Sequence, residues 1–184
     1  MQNAGASAAA IGVFSHYYRQ VQSGETGLIR ESDIEPYVDV PQLADVEVAV
    51  GDQRHAIART AIIKLNGGLG TSMGLDRAKT LLPVRDGLNF LDIIARQVLS
   101  VRRKYDVDLP LVFMTSFRTD RDTREYLSRY DLKQSVPLTF LQNQEPKLRA
   151  DDLTPVSWPD DPSLEWCPPG HGDIYVALQS SGIL

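Results

Sequence analysis

The stretch that decides the fold of this chain is Leu65-Asn66-Gly67-Gly68-Leu69-Gly70-Thr71-Ser72-Met73-Gly74, which follows the apolar run Ala61-Ile62-Ile63. Four glycines fall between positions 67 and 74, far above their average frequency. Glycine loses more backbone entropy on folding than any other residue, so such a cluster needs a physical reason. The reason that fits best is a main chain that comes close to a bulky anion. A buried strand that breaks into a glycine loop is how α/β proteins aim backbone N–H groups at phosphates.

Outward from this loop, the apolar pattern alternates between strands and helices. A strand is predicted at about 57–65. Apolar residues then recur at three- and four-residue steps from Phe90 to Tyr105, which is typical of an amphipathic helix. Further elements are a buried strand at 111–115, a charged surface helix at 119–131 and a strand at 136–141. This order predicts an α/β fold, a Rossmann-like nucleotide-binding domain with a mostly parallel sheet and ligands at the carboxyl ends of its strands.

The remaining segments flank this core. Residues 1–55 are expected to form a helical N-terminal extension that packs on the main domain, with a helix at about 6–22. Residues 56–184 are predicted to form the main domain. Within it, residues 143–171 contain six prolines and little periodicity, which predicts a long loop, and long loops in compact domains are usually functional. A last helix is predicted at 172–181, with Gly182 as its cap.

Composition and charge exclude several classes of protein. The chain has 184 residues and a formal net charge of −5, with a pI near 5.2, whereas a nucleic-acid-binding protein is usually basic. The basic run Arg102-Arg103-Lys104 therefore indicates a solvated helix end. The chain has a single cysteine, Cys167, which rules out an internal disulfide and is typical of a reducing cytosol. The apolar run 8–14 is far too short to span a bilayer. We expect a cytoplasmic protein with no nucleic-acid or membrane partner.

Two generic nucleotide motifs come close to this sequence and fail. A Walker A loop requires a glycine directly before its lysine, whereas Ala78 precedes Lys79. The dinucleotide fingerprint Gly-x-Gly-x-x-Gly is one residue shorter than the spacing of Gly68, Gly70 and Gly74.

The run from Lys64 to Lys79 instead resembles the glycine-rich signature of the eukaryotic-type UDP-glucose pyrophosphorylases (UTP–glucose-1-phosphate uridylyltransferases). The glycine loop matches that signature without a gap. Trp166, followed by Pro168-Pro169-Gly170-His171-Gly172-Asp173-Ile174-Tyr175, is similar to a second family segment. Shorter similar segments stand between them in the right order: Phe90-Leu91-Asp92, Pro110 to Met114, Ser116-Phe117, Thr119-Asp120, Asp122-Thr123, and Thr139-Phe140 with Gln142. The resemblance covers roughly residues 57–184.

The resemblance implies a nucleotide site around the glycine loop. In the family this loop wraps the nucleotide, which here places Leu65, Asn66, Gly67 and Gly68 against the uridine and phosphates of UTP. Gly67 and Gly68 are also expected to contact the sugar-phosphate substrate. Lys79 corresponds to the family lysine at the triphosphate, and we expect it to be catalytic. A compact ammonium suits the negative charge that develops on leaving pyrophosphate.

Three further residues follow from the same resemblance. Gln142 matches the family glutamine that reads the uracil edge, since an amide donates and accepts at once, although Gln144 stands close by. Gly170 is implied to meet the nucleotide, and His171 the sugar phosphate. Asp173 either orients His171 or caps the following helix, and the cap is the favoured interpretation.

The implied reaction is uridylyl transfer from UTP to glucose 1-phosphate, which gives UDP-glucose and pyrophosphate. The implied cofactor is Mg²⁺, and no metal ligand is assigned in this chain, because family members continue to a metal-holding aspartate beyond residue 184. We therefore expect residues 56–184 to be the N-terminal portion of a nucleotidyltransferase catalytic domain in a longer enzyme, and this part alone to have little or no turnover. Two alternatives stay open: an N-acetylhexosamine-1-phosphate uridylyltransferase, and a non-catalytic nucleotide-binding module.

Overall fold

The computed structural model describes residues 1–183. Its helices are α1 (Ala8–Gln22), α2 (Val50–Ala58), α3 (Phe90–Tyr105), α4 (Asp120–Leu127) and α5 (Ile174–Ser181). Its strands are β1 (Ile62–Asn66), β2 (Pro83–Arg85), β3 (Leu88–Asn89), β4 (Leu111–Thr115), β5 (Thr139–Leu141), β6 (Glu145–Pro146) and β7 (Trp166–Cys167). Among the described residues, no helix combines the length and the apolar character needed to cross a bilayer.

The centre of the fold is a parallel sheet with the strand order β1-β4-β5. The five residues of β4 are all buried, because this middle strand is covered on both faces, as in α/β proteins generally. On one face, α3 and α4 pack an apolar cluster that includes Leu91, Phe113 and Leu127. On the other face, α5 packs Ala177 against a second cluster that includes Met114. The mostly parallel α/β sheet expected from the sequence is thus confirmed.

One buried carboxylate fastens α3 to the region around α4. Asp92 forms a capping box with Asn89 at the start of α3, and its carboxylate accepts hydrogen bonds from the Tyr126 hydroxyl at 2.8 Å and the Tyr130 hydroxyl at 2.6 Å. Burial on its own raises the pKa of Asp92, but these hydrogen bonds and that from Asn89 N–H outweigh it and lower the pKa. The ionised carboxylate therefore stabilises the pairing of the two helices.

Several predicted boundaries are wrong. β1 begins at Ile62, not near residue 57, because residues 50–58 form α2 and the side chain of Ile57 packs from that helix against the core. The charged helix and the third strand are shorter than predicted. The predicted division at residue 55 falls inside α2.

Two other expectations hold only in part. The 143–171 segment is not only a loop, since β6 and β7 pair in it as an antiparallel ladder. In the run Arg102-Arg103-Lys104, Arg103 and Lys104 are exposed at the end of α3 as expected, but the Arg102 guanidinium donates to the carbonyl of Leu109 and to Gln134 Oε1, both at 2.9 Å. It thereby fixes the turn after α3 rather than facing solvent alone.

Candidate functional site

The candidate site lies where the three parallel strands end. The register pairs Asn66 with Thr115 and Thr115 with Leu141, so the strands finish at the same level. The next residues along the chain are Gly67, Ser116 and Gln142, which therefore meet at one edge of the sheet. This is the edge at which open α/β sheets bind ligands.

Three hydroxyl groups hold the glycine loop on this edge, and we call Ser116, Thr119 and Thr123 the hydroxyl set. Ser116 Oγ donates to the Gly67 carbonyl at 2.8 Å, and Thr119 Oγ1 donates to the Asn66 carbonyl at 2.7 Å. All three members are fully buried. Buried carbonyls without such donors would cost free energy, so the hydroxyl set fixes the path of the loop.

The side chain of Asn66 is engaged inside the protein. Its Nδ2 donates to Thr123 Oγ1 at 2.8 Å, and its Oδ1 accepts from Thr80 Oγ1 at 2.7 Å. Thr80 follows Lys79, whose backbone N–H donates to the Gly68 carbonyl at 3.1 Å. The lysine-bearing turn is therefore tied to the glycine loop at two successive residues.

Gln142 lies directly against the glycine loop. A Cβ atom added to Gly67 would sit 1.7 Å from Gln142 Nε2, so only glycine allows this approach. Gln142 is 7% exposed, and its Oε1 is buried without a hydrogen-bond partner. Its main chain is anchored, because its N–H donates to the Thr115 carbonyl at 2.8 Å. Buried amide oxygens are nearly always paired in folded proteins, so this one is a candidate for pairing with a ligand.

Two cavities open beside these residues. The larger has a volume of about 640 Å³, and its lining includes five of the residues singled out from the sequence: Leu65, Asn66, Gly68, Lys79 and His171. Its apolar wall comes from α3, through Phe90, Ile93 and Ile94. A second cavity of about 290 Å³ lies beside Gln142 and Phe117. The structure thus brings most of the expected residues to one cavity and places Gln142 in a neighbouring one, across Gly67.

The segment with His171 reaches this region through an unusual backbone conformation. Gly170 has φ 107° and ψ −173°, a combination that is essentially restricted to glycine. The next three residues form a short 3₁₀ turn, closed by a hydrogen bond from Asp173 N–H to the Gly170 carbonyl at 3.3 Å. The favoured interpretation of Asp173 as a helix cap is wrong, because its side chain makes no capping hydrogen bond to α5. Its carboxylate instead binds Asn143.

Other reactive groups do not form a separate centre. Burial, and to a lesser degree the Glu145 carboxylate, raises the pKa of the Cys167 thiol, which favours the unreactive protonated form. Desolvation and the nearby Asp173 carboxylate raise the pKa of Glu145. Residues 1–183 contain no group of three or more His, Cys, Asp or Glu side chains that could hold a metal ion.

The hydroxyl set stands in segments that resemble the family, but the sequence alone assigned its residues no role. Its members stand at positions 116, 119 and 123, which is the i, i+3, i+7 spacing of one helical face. That spacing, at the end of a buried strand, is the signal that could have identified them. Their role in holding main-chain carbonyls needs contacts with Asn66 and Gly67, about fifty residues earlier in the chain.

Comparison with known proteins identifies a matching family, similar sequences and similar solved structures. A family model described as UTP–glucose-1-phosphate uridylyltransferase matches residues 11–184. A probable UTP–glucose-1-phosphate uridylyltransferase of Schizosaccharomyces pombe is 38% identical over 176 residues, covering 94% of this chain and 34% of the relative. The Saccharomyces cerevisiae UTP–glucose-1-phosphate uridylyltransferase is 43% identical over 129 residues, covering 70% of this chain and 26% of the relative. A mutant UDP-glucose pyrophosphorylase from Leishmania major, solved in complex with UDP-glucose, superposes with a TM-score of 0.85 at 40% identity, covering 99% of this chain and 38% of that chain. The chain therefore spans only about a third of the length of its relatives.

Proposed function

This chain belongs to the UTP–glucose-1-phosphate uridylyltransferase family, and we propose that it forms the UTP-binding part of an enzyme that makes UDP-glucose. In that reaction a phosphate oxygen of glucose 1-phosphate attacks the α-phosphorus of UTP. A new P–O bond forms, the bond to the β-phosphate breaks, and pyrophosphate leaves with its electron pair. Such a displacement depends on positioning and on stabilisation of charge rather than on covalent chemistry by the protein.

The observation that carries the proposal is the buried amide of Gln142. Its unpaired Oε1 and its contact with Gly67 place a hydrogen-bonding group beside the glycine loop. Uracil presents an N–H next to a carbonyl oxygen, and an amide can pair with both. A binding site built to satisfy a polar group rejects analogues that leave that group unpaired. We assign Gln142 to recognition of the uracil base.

The other assignments follow from the lining of the larger cavity. Leu65, Asn66, Gly67 and Gly68 form the nucleotide side, where Gly68 has open space around its Cα and a backbone free of side chains can approach phosphates. Lys79 is the catalytic residue, since its ammonium stabilises charge on the leaving pyrophosphate.

Contacts with the sugar phosphate and part of the nucleotide are assigned to the segment with Gly170 and His171. Gly170 contacts the nucleotide and His171 contacts the sugar phosphate, together with Gly67 and Gly68. His171 lines the same cavity as Lys79, which suits a sugar phosphate placed between the loop and the histidine.

The family generally needs a divalent metal, and Mg²⁺ is the ion we propose. Residues 1–183 hold no cluster of three or more His, Cys, Asp or Glu side chains that could bind it, and the steps above are assigned to protein groups alone. We propose the cytoplasm as the place of action.

Calorimetric titration of this chain with UTP and with NAD⁺ tests the proposal. We expect UTP to bind selectively, and Gln142→Ala to weaken UTP binding about tenfold or more, because truncation removes at least one hydrogen bond to the base. Gln144→Ala is the matched control, since it truncates the neighbouring glutamine. Equal affinity for UTP and NAD⁺, or an equal loss from both glutamine variants, would contradict the proposal.

A further inference from the structure

One carboxylate that is not among the expected ligand-binding residues links the segment after Gln142 to the turn that carries His171. Asp173 is 9% exposed. Its Oδ2 accepts from the backbone N–H of Asn143 at 2.6 Å, and its Oδ1 accepts from Asn143 Nδ2 at 2.8 Å. Both oxygens therefore bind the one residue that directly follows Gln142. Hydrogen bonds to an ionised acceptor are stronger than neutral ones, so this pair forms a firm tether.

The same residue controls the turn that carries His171. The backbone N–H of Asp173 donates to the Gly170 carbonyl and closes the 3₁₀ turn over residues 171–173. Asp173 thus holds the residue after Gln142 with its side chain, and the turn with His171 through its main chain. No other contact between Asn143 and the His171 turn occurs among the hydrogen bonds of the described residues.

Gln142 has few other restraints beyond the sheet. Its N–H completes the ladder to Thr115, but its Oε1 has no partner, and the chain leaves β5 at this point. The orientation of an amide that must read a base depends on the backbone on both sides of it. Thr115 fixes the preceding side, and Asp173 fixes the following side.

We propose that Asp173 is a positioning residue that sets the base selectivity of Gln142 and couples it to the His171 turn. This inference rests on the proposed function, because it assigns Gln142 to the uracil base. A helix-capping role predicts a different behaviour, since serine would replace aspartate as a cap of α5 but is too short to hold both donors of Asn143.

The test is the ratio of the dissociation constants for CTP and UTP, measured by calorimetry on the wild-type chain and on variants. Asp173→Ala and Asp173→Ser are both expected to lower this ratio about tenfold, which corresponds to about 1.4 kcal/mol of lost discrimination. Asn143→Ala, which keeps the backbone donor, is expected to have a smaller effect. A merely structural defect would weaken both nucleotides equally and leave the ratio unchanged.

Control variants distinguish failure of the positioning role of Asp173 from failure of the proposed function. Asp122→Ala removes an acidic residue from the first turn of α4 and is expected to leave the ratio unchanged. Retention of the wild-type ratio by Asp173→Ala, or rescue by Asp173→Ser, would overturn the positioning role while leaving the proposed function intact. A wild-type chain that does not distinguish UTP from CTP would overturn both proposals.

Discussion

Substitution of Gly67 by alanine tests the contact between the glycine loop and Gln142. The added Cβ would lie 1.7 Å from Gln142 Nε2 and 2.9 Å from its Cδ. The main chain of Gln142 is held by Thr115, so the buried amide would have to rotate out of place. Overpacking of this kind costs about 1–3 kcal/mol, which for a chain of this length is a fall in Tm of roughly 2–12 °C.

Gly68→Ala is the matched control for this experiment. A Cβ at Gly68 meets nothing within 4 Å, and Gly68 does not have a positive φ. Alanine at such a position reduces the entropy of the unfolded chain and is neutral or stabilises by up to about 1 kcal/mol. Thermal unfolding followed by circular dichroism should therefore separate the two variants clearly.

A double variant identifies the cause of the destabilisation. If the clash with the amide is responsible, Gly67→Ala combined with Gln142→Ala should be more stable than the sum of the single effects allows, because neighbouring sites in contact are not additive. Equal Tm values for Gly67→Ala and Gly68→Ala, or strict additivity in the double variant, would show that Gly67 is not in restrictive contact with the Gln142 amide.

Three further experiments test the hydrogen bonds of Asn66, the ionised carboxylate of Asp92 and the burial of Cys167. Asn66→Ala leaves the hydroxyls of Thr80 and Thr123 without their amide partner, so urea unfolding should show a loss of about 1–3 kcal/mol. The pKa of Asp92 is lower in the folded than in the unfolded chain. The ionised carboxylate therefore stabilises the fold above the pKa of the unfolded chain, and this stabilisation is lost as the pH falls through the pKa of the folded chain. Asp92→Asn should flatten the dependence of the unfolding free energy on pH below about pH 4. Burial raises the pKa of Cys167, so its reaction with a thiol reagent at pH 7 should be slower in the folded chain than in urea.

Each of these expectations has a contradicting result. A wild-type stability for Asn66→Ala would mean that its amide does not hold the loop. A parallel acid profile for Asp92→Asn would assign the pH dependence to other carboxylates. Equal reaction rates of Cys167 in the folded and unfolded chain would show that the thiol is freely accessible.

The elements that the sequence predicted well are those with strong local signals. Residues 111–115 form an uninterrupted apolar run after Pro110, and β4 has these bounds. The apolar repeat of α3 also predicted that helix from Phe90 to Tyr105. Gly182 ends α5 with a φ of 71°. In each case the apolar spacing or the special backbone residue lies within the element or directly at its end.

The elements that were missed depend on contacts between distant residues. The apolar side chain of Ile57 suits a strand or a helix equally, and only its packing on the core decides for α2. The strands β6 and β7 have two residues each and pair across a long segment, so neither carries a period that could be recognised. The role of Asp173 was likewise hidden, because its partner Asn143 lies thirty residues earlier.

Binding of UTP between the glycine loop and Gln142 is tested by titration of the ¹⁵N-labelled chain with UTP, followed residue by residue by NMR. We expect the backbone amides of Gly67, Gly68 and Lys79 to shift together with the side-chain amide of Gln142, and CTP not to reproduce the shift at Gln142. Shifts confined to other surfaces, or none at millimolar UTP, would contradict this expectation.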